Sequence, residues 1–161
     1  LIILNDGSSD ASETIIKKYT DPRIRYYFHT NMGLAATLNK GIGLSRASLI
    51  ARQDQDDISL PDRLQKQVSF LNTRPDIFLV GTAAQIIDQN GNVRDLFHRH
   101  ATEDIEIKYE LMFDNPFVHS SVMFRKEAVE LTGNYSADIS IFEDYDLWSR
   151  IARNFRVANL E

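Results

Sequence analysis

The chain has 161 residues, of which 43% are hydrophobic and 25% charged, so it suits one globular domain with a real core. A formal net charge of −5 and the lack of a basic run argue against a nucleic-acid backbone as the main partner. The absence of cysteine excludes disulfides and thiolate chemistry, and no apolar run approaches the roughly 18 residues of a membrane span.

The first half of the sequence alternates predicted strands and helices. Apolar runs followed by turn residues predict strands, and apolar residues three or four apart predict helices. The predicted order is a strand at residues 1–4, a helix from residue 10, a strand at 23–28, a helix at 34–46, a strand at 47–51 and a helix from Pro61. The predicted inward faces of these helices are Ile15, Ile16 and Tyr19, then Leu34, Leu38 and Ile42, then Leu64, Val68 and Leu71. This alternation predicts an α/β fold, with a Rossmann-like, mainly parallel sheet flanked by helices and ligands at the carboxyl ends of the strands.

The second half predicts a hairpin and further helices. Asn90-Gly91 is a strong turn signal between predicted strands at residues 78–88 and 93–97. The elements predicted after it are a helix capped by Thr102 with Ile105, Tyr109 and Met112 inward, a strand at 120–125, a helix at 126–131 ended by Gly133, a helix at 144–155 with Leu147, Trp148 and Ile151 inward, and a strand at 155–161. We predict a single domain over residues 1–161. Because the chain begins within an apolar run and ends on a strand, we expect a fragment shortened at both ends.

The most informative stretch is the acidic cluster Asp54-Gln55-Asp56-Asp57, which follows the predicted strand at residues 47–51. Packed carboxylates on a loop are either simply solvated or neutralised by a divalent cation. Mg²⁺ and Mn²⁺ take oxygen ligands, and Mg²⁺ usually combines one or two carboxylates with substrate phosphates. The hypothesis is a metal–diphosphate site; an EF-hand is excluded, because its sixth and twelfth positions would hold Ser59 and Gln65.

Other candidate residues lie at predicted strand ends and helix starts. Asp6 follows the first strand and is either a turn residue or an acceptor for a base or ribose, and we expect it at the same sheet edge as Asp54. Asn31 and Gly33 precede a helix N-terminus that favours phosphate, although a simple cap explains them equally well. Asn39 and Lys40 lie further along that helix.

Two candidates come from the second half. Glu143-Asp144 opens a helix, where two acids either complement the macrodipole or supply a general base for a hydroxyl nucleophile. His119 is either a structural residue or a further ligand in a metal shell of carboxylates. No G-x-S-x-G elbow surrounds Ser120 or Ser121, so a serine hydrolase has no support.

Taken together, these segments resemble the nucleotide-sugar domain of family 2 glycosyltransferases, which has the GT-A fold. The resemblance is carried by four motifs in family order, namely Leu4-Asn5-Asp6-Gly7-Ser8-Ser9-Asp10, Asn31-Met32-Gly33-Leu34-Ala35-Ala36 with Asn39-Lys40-Gly41, Asp54-Gln55-Asp56-Asp57 with Pro61, and Glu143-Asp144-Tyr145-Asp146-Leu147-Trp148. One such motif is weak, but four at family-like spacing are specific, and they cover nearly the whole chain.

The resemblance implies a role for each motif. Asp6 would contact the nucleotide base, and Asp54 and Asp56 would be the D-x-D pair that touches the ribose and a Mn²⁺ or Mg²⁺ ion, with Asp57 a further metal candidate. Asp144 would be the catalytic base in a single displacement with inversion. The predicted nucleotide-binding set is Asp6, Asn31, Gly33, Asn39, Lys40 and Asp54, and the predicted metal set is Asp56, Asp57 and His119.

The sequence departs from the family pattern in two places. Asn5 stands where the family often has a first Asp. The family's opening strand, which precedes the segment matching Leu1, is absent. We therefore expect this chain alone to bind donor weakly or not at all, a point that titration calorimetry with UDP, GDP and dTDP sugars and Mn²⁺ would test.

The leading hypothesis is a metal-dependent glycosyltransferase that uses a nucleotide-diphosphate sugar and a glycan or lipid-linked acceptor, in cell-envelope polysaccharide synthesis. The alternatives are a nucleotidyltransferase of sugar-nucleotide synthesis, which usually has a Gly-rich phosphate loop not seen here, and a non-catalytic nucleotide-sugar-binding module. The expected location is the cytoplasm. The alternative is the inner face of the cell membrane, with which the protein would associate through the missing segments.

Overall fold

The computed structural model describes residues 1–98, 100–139 and 141–161. These residues divide into two compact units. The first unit comprises Leu1–Arg46 with Tyr135–Glu143, and the second comprises Ala47–Asn134 with Asp144–Glu161. The single domain over residues 1–161 stays a prediction.

The elements follow the predicted alternation, with shifted ends. The strands are β1 Ile2–Asp6, β2 Arg25–His29, β3 Leu49–Ala51, β4 Ile77–Thr82, β5 Ala84–Ile87, β6 Val93–His98, β7 Met123–Arg125 and β8 Arg156–Leu160. The helices are α1 Ser12–Ile16, α2 Leu34–Leu44, α3 Arg63–Thr73, α4 Asp104–Glu110, α5 Lys126–Thr132 and α6 Glu143–Asn154, with a 3₁₀ turn at His119–Ser121.

The first unit contains a two-stranded parallel sheet. β1 pairs with β2, and Asp6 lies opposite His29 at the carboxyl ends of the two strands. Helix α2 lies close against β1, since a Cβ added to Gly41 would be only 2.9 Å from Leu4 Cδ1. Of the predicted face of α2, Ile42 is buried and Leu38 is half-buried, but Leu34 is exposed, and Thr37 is the other buried residue of this helix.

The second unit contains a four-stranded sheet in the order β3-β7-β4-β8. β7 is antiparallel to both β3 and β4, whereas β8 is parallel to β4. The predicted α/β class with flanking helices is confirmed, and the sheet is mixed because β7 inserts between β3 and β4 in the opposite direction. β1 and β3 belong to different sheets, so the expectation that Asp6 and Asp54 follow strands of one sheet is wrong.

The core of the second unit lies between this sheet and its helices. One buried cluster consists of Leu71, Ile77, Val80, Met123 and Ala158. The predicted inward face of α6, formed by Leu147, Trp148 and Ile151, is fully buried. The Trp148 ring packs against Phe124 with ring centroids 5.8 Å apart, so α6 is anchored directly on β7.

The predicted hairpin is present in the second unit. β5 and β6 pair antiparallel, and the turn between them is held by Asp88, whose carboxylate accepts hydrogen bonds from the N–H groups of Asn90 and Asn92 at 2.9 and 3.0 Å. Gly91 has a φ of 80°, which glycine adopts without strain. The predicted single strand at residues 78–88 is two strands, because β4 joins the four-stranded sheet and β5 joins the hairpin.

The predicted faces of α1, α3 and α4 also differ from the observed ones. In α3, Leu64 and Val68 are exposed, and the buried residues are Gln67 and Leu71. Gln67 can be buried because its amide donates hydrogen bonds to the carbonyl oxygens of Val80 and Ser121, at 3.1 and 2.8 Å.

In α4, the predicted face is the exposed one. Ile105, Tyr109 and Met112 face solvent, and Ile107 is the buried residue of this helix. The short helix α1 buries none of its residues, and both Ile15 and Tyr19 are exposed. No helix in the described part of the chain has the length and apolar character needed to cross a bilayer.

Candidate active site

The carboxylate of Asp6 organises the loop that leads into α2. Its Oδ1 accepts a hydrogen bond from the Met32 N–H at 2.7 Å, and its Oδ2 accepts one from the Gly33 N–H at 3.1 Å. His29 Nδ1, at the end of the neighbouring strand, lies 3.2 Å from Oδ1. Oδ2 accepts no other hydrogen bond from the described residues, so this side chain can both hold the loop and accept a further hydrogen bond.

The loop also needs the glycine that follows Asp6. Gly7 has a φ of 81°, and a Cβ added there would lie 2.9 Å from the Asn31 backbone nitrogen. The Asn31 side chain in turn donates a hydrogen bond to the Asp6 carbonyl oxygen at 3.1 Å. The structure therefore brings together three of the predicted nucleotide-binding residues, Asp6, Asn31 and Gly33, at one edge of the first unit.

In the part of the chain that the structure describes, no side chain caps the N-terminus of α2. Gly33 is its capping residue, with a φ of 86°, and the Gly33 carbonyl accepts the first helical hydrogen bond from the Thr37 N–H at 3.0 Å. The N–H groups of the first turn have no intrahelical partners, an arrangement that suits an anion.

Asn39 has a structural role that the sequence did not indicate. Its Nδ2 donates a hydrogen bond to the Tyr135 carbonyl at 2.8 Å, and its Oδ1 accepts one from the Tyr135 N–H at 3.0 Å. This amide holds the segment around Tyr135 against α2, within the first unit. Among the described residues the neighbouring Lys40 ammonium has no hydrogen bond or ion pair, so it remains a candidate for a phosphate.

The acidic loop after β3 is held by its own neighbours. The Arg52 guanidinium pairs with the Asp54 carboxylate and donates a hydrogen bond to the Gln53 carbonyl. The Gln53 amide donates hydrogen bonds to the carbonyl oxygens of Asp54 and Asp57, at 3.0 and 2.9 Å. Asp54 is thus neutralised by Arg52.

A second arginine supports this loop from α3. Arg63 donates hydrogen bonds to the carbonyl oxygens of Ser120 and Arg52, the latter at 2.9 Å. Burial lowers the pKa of the Arg63 guanidinium from its usual value. The start of the acidic loop is therefore fixed to both α3 and the 3₁₀ turn.

The predicted metal ligands are not assembled into one group. Asp56 and Asp57 are exposed, and within the described residues their carboxylates form no ion pair or hydrogen bond. His119 lies in the 3₁₀ turn, with its ring centroid 6.1 Å from that of Trp148. The described residues contain no group of three His, Asp or Glu side chains placed to hold a metal ion. Two free carboxylates still suit a hard cation that takes its other oxygen ligands from a diphosphate and water.

Asp144, the predicted base, lies in the first turn of α6. Its Oδ2 accepts a hydrogen bond from Asn115 Nδ2 at 2.8 Å, and its Oδ1 accepts one from the Tyr145 N–H at 2.7 Å. The residue before the helix, Phe142, has a φ of 70°, which is unusual for a residue other than glycine. Asp144 is half-buried and oriented by neutral donors.

The sequence reasoning missed two groups near the predicted acids. Asn115 contacts Asp144 from 29 residues away, and Arg63 supports the acidic loop from α3. The signal at Asn115 was an Asn-Pro pair, which indicates a turn but not a distant partner. Arg63 follows Pro61 at a helix start and carried no signal of its own.

Two solved structures share the fold of this chain. A mannosyltransferase, PcManGT from Pyrobaculum calidifontis in complex with GDP-Man and Mn²⁺, has a TM-score of 0.69 at 15% identity and covers 99% of this chain and 46% of its own. TarS 1–349 from S. aureus has a TM-score of 0.76 at 18% identity, with coverage of 99% and 48%. The fold is therefore the GT-A fold of glycosyltransferases.

Sequence comparison identifies the family. The model of glycosyl transferase family 2 matches residues 1–132. The amylovoran biosynthesis glycosyltransferase AmsE of Erwinia amylovora is 32% identical over 164 residues, and the O-antigen biosynthesis glycosyltransferase WbnJ of Escherichia coli is 34% identical over 166. Each match covers 99% of this chain, which spans 60% of AmsE and 63% of WbnJ. The chain belongs to glycosyl transferase family 2.

Proposed function

We propose that the protein containing this chain transfers a sugar from a nucleotide-diphosphate sugar to an acceptor hydroxyl, with inversion, and that Asp144 is the base. The observation that carries the proposal is the Asp144 carboxylate. It is half-buried at the first turn of α6, held at both oxygens by neutral donors, and paired with no cation among the described residues. A carboxylate that is positioned in this way can accept the proton of an acceptor hydroxyl.

The proposed reaction is one displacement. The acceptor oxygen attacks the anomeric carbon as the bond from that carbon to the diphosphate breaks, and the electron pair leaves with the nucleoside diphosphate. Asp144 takes the proton from the acceptor hydroxyl as the new bond forms. A divalent cation, held by Asp56 and Asp57 together with the diphosphate, would offset the charge of the leaving group.

Donor recognition is assigned mainly to the first unit. The proposal places the base or ribose at Asp6, in keeping with the further hydrogen bond that its Oδ2 can accept. It places phosphate oxygens near the uncapped start of α2, with Asn31, Gly33 and Lys40 as candidate contacts. Asp54 remains the proposed ribose contact. Its carboxylate would then either bind the ribose and Arg52 together or break its ion pair with Arg52. Asn39 would act by holding the segment at Tyr135 rather than by touching the nucleotide.

The acceptor and location are proposed from the relatives. AmsE and WbnJ are named for amylovoran and O-antigen biosynthesis. We infer a glycan or lipid-linked acceptor of a cell-envelope polysaccharide, used in the cytoplasm at the inner face of the membrane. The net charge of −5 supports the absence of a nucleic-acid partner.

The test uses the full-length protein and a panel of UDP-, GDP- and dTDP-sugars with Mn²⁺, with Mg²⁺ or with EDTA. We expect release of nucleoside diphosphate from one donor class, and loss of that release in EDTA. Asp144→Asn should lower the rate about 10²- to 10⁴-fold, the range typical of a lost general base, while calorimetry shows unchanged donor affinity.

The control is Glu130→Gln, which neutralises an exposed carboxylate on α5 and should leave the rate unchanged. Unchanged turnover in Asp144→Asn would contradict the assignment of the base. Equal turnover with Mn²⁺ and with EDTA would contradict the metal. Binding of donor without turnover in the unaltered protein would favour the non-catalytic binding module.

A further inference from the structure

Asn115 is held in a single orientation by its own turn. Its Oδ1 accepts a hydrogen bond from the Phe117 N–H at 3.1 Å, the side-chain turn that Asn commonly forms with the residue two positions on. This contact fixes the direction of the amide group, so Nδ2 faces Asp144 Oδ2 at 2.8 Å. A flipped amide would lose the turn and would place an oxygen against the carboxylate.

A second contact ties the same two segments of the second unit together. The hydroxyl of Tyr145 donates a hydrogen bond to the Leu111 carbonyl at 2.5 Å, one residue along the helix from Asp144. The Asp144 rotamer is further restrained by the Tyr145 N–H, which donates to its Oδ1. The first turn of α6 is thus fixed to the chain that follows α4 at two adjacent residues, Asp144 and Tyr145.

The neutral character of the Asn115 contact distinguishes Asp144 from two other acids of the second unit, which pair with arginine. Asp146, two residues further along α6, pairs with Arg150 at 2.7 Å, and Asp54 pairs with Arg52. The Asn115 amide is neutral, so it orients the Asp144 carboxylate without placing a positive charge beside it.

We propose that Asn115 is a positioning residue that orients the Asp144 carboxylate toward the acceptor hydroxyl. The inference rests on the proposed function, because it requires Asp144 to be the base. Asn115 acts only through Asp144: it leaves one lone pair on Oδ2 free for the incoming proton and holds the carboxylate in one rotamer. Its removal should slow the chemical step and leave donor binding intact.

The test is a double-mutant cycle in the full-length protein, with hydrolysis of the same UDP-, GDP- and dTDP-sugar panel in Mn²⁺ as the assay. Here water takes the place of the acceptor hydroxyl. Asn115→Ala should lower kcat about 10- to 100-fold, with the donor KM within about twofold, since the base is misplaced rather than lost. The double mutant Asn115→Ala with Asp144→Asn should have the same kcat as Asp144→Asn alone, because both substitutions disable the same catalytic base.

A second variant separates orientation from folding. Asn115→Asp is isosteric and keeps the acceptor for the Phe117 N–H, but it turns an acceptor toward Asp144, so kcat should fall at least as far as in Asn115→Ala. The matched control is Asn154→Ala, which removes an amide that donates to the Arg150 carbonyl at 2.8 Å near the other end of α6. It should leave kcat unchanged.

The outcomes separate this inference from the proposed function. If Asp144→Asn stops turnover while both Asn115 variants keep the unaltered kcat, the positioning role is rejected and the base assignment stands. Independent, multiplicative losses in the double mutant would also reject it. If Asp144→Asn retains full turnover, the base assignment fails and the role of Asn115 fails with it.

Discussion

At the scale of single residues, the loop after β1 requires glycine at position 7, because a side chain there would clash with the Asn31 backbone. Gly7 combines a positive φ with a close approach to the Asn31 nitrogen, and Asp6 next to it binds the N–H groups of Met32 and Gly33. The sequence marked Asp6 as either a turn residue or an acceptor for a base or ribose. The hydrogen bonds show that the turn interpretation holds, while nucleotide binding remains a prediction.

We predict that Gly7→Ala destabilises the first unit, whereas Gly43→Ala does not. An added Cβ at Gly7 meets the Asn31 nitrogen at 2.9 Å in a backbone conformation that costs an L-residue about 1–3 kcal/mol. At Gly43, a helical position with open space around it, alanine should stabilise by about 0.5–1 kcal/mol. Hydrogen-exchange protection of the β1 and β2 amides measures both changes, and equal protection in the two variants would contradict the strain argument.

At the scale of elements, helix α4 shows how a short apolar pattern can be assigned to the wrong face. Ile105, Tyr109 and Met112 follow helical spacing, yet they are exposed, and Ile107 on the other side is buried. This seven-residue helix carries apolar side chains on both faces. The spacing of these residues therefore predicts a helix but does not show which face packs against the sheet. In the longer α6 one face is predominantly apolar, and its prediction is confirmed.

This difference gives a matched pair of variants on one helix. Ile107 is 0% exposed and Ile105 is 75% exposed, so both substitutions change helix propensity equally but only one creates a cavity. Ile107→Ala should lower the free energy of unfolding of the second unit by about 2–5 kcal/mol, and Ile105→Ala should change it by less than about 0.5 kcal/mol. Urea denaturation followed by fluorescence of Trp148, the only tryptophan, measures both. Similar losses would mean that the sheet covers the Ile105 face instead.

At the scale of the whole chain, acid stability should depend on carboxylates held by cations and N–H groups. Arg74 lowers the pKa of Asp76 by hydrogen bonding, and Arg156, from the far end of the sequence, adds to this from 2.8 Å. The N–H groups of Asn90 and Asn92 lower the pKa of Asp88 in the hairpin turn. Of these contacts, the one between Arg156 and Asp76 joins positions that are 80 residues apart in the second unit.

The sign of the pH effect follows from these directions. Because the pKa of Asp76 is lower in the folded state than its ordinary 3.8, its stabilising contribution is present above that value and is lost as the pH falls through the folded pKa. We expect Asp76→Asn to lower the melting temperature at pH 7 but to have little effect at pH 2. Glu130→Gln, the control at an exposed position, should change neither value. Equal effects of Asp76→Asn at both pH values would contradict the assignment.

The sequence by itself determined the kinds of elements and the candidate acids. Turn residues and apolar spacing are local signals, and they sufficed for the alternation of the first half, the hairpin at Asn90-Gly91 and the inward face of α6. The four motifs also sufficed to indicate family 2, which the family model confirms.

The tertiary structure decided what each candidate side chain touches. Asn39 meets Tyr135 across 96 residues, and Asn115 meets Asp144 across 29. It also decided the mixed order of the sheet and the buried faces of α3 and α4. Such pairings depend on which segments pack together after long loops close, and the energy of that packing is a property of the assembled chain rather than of any local pattern.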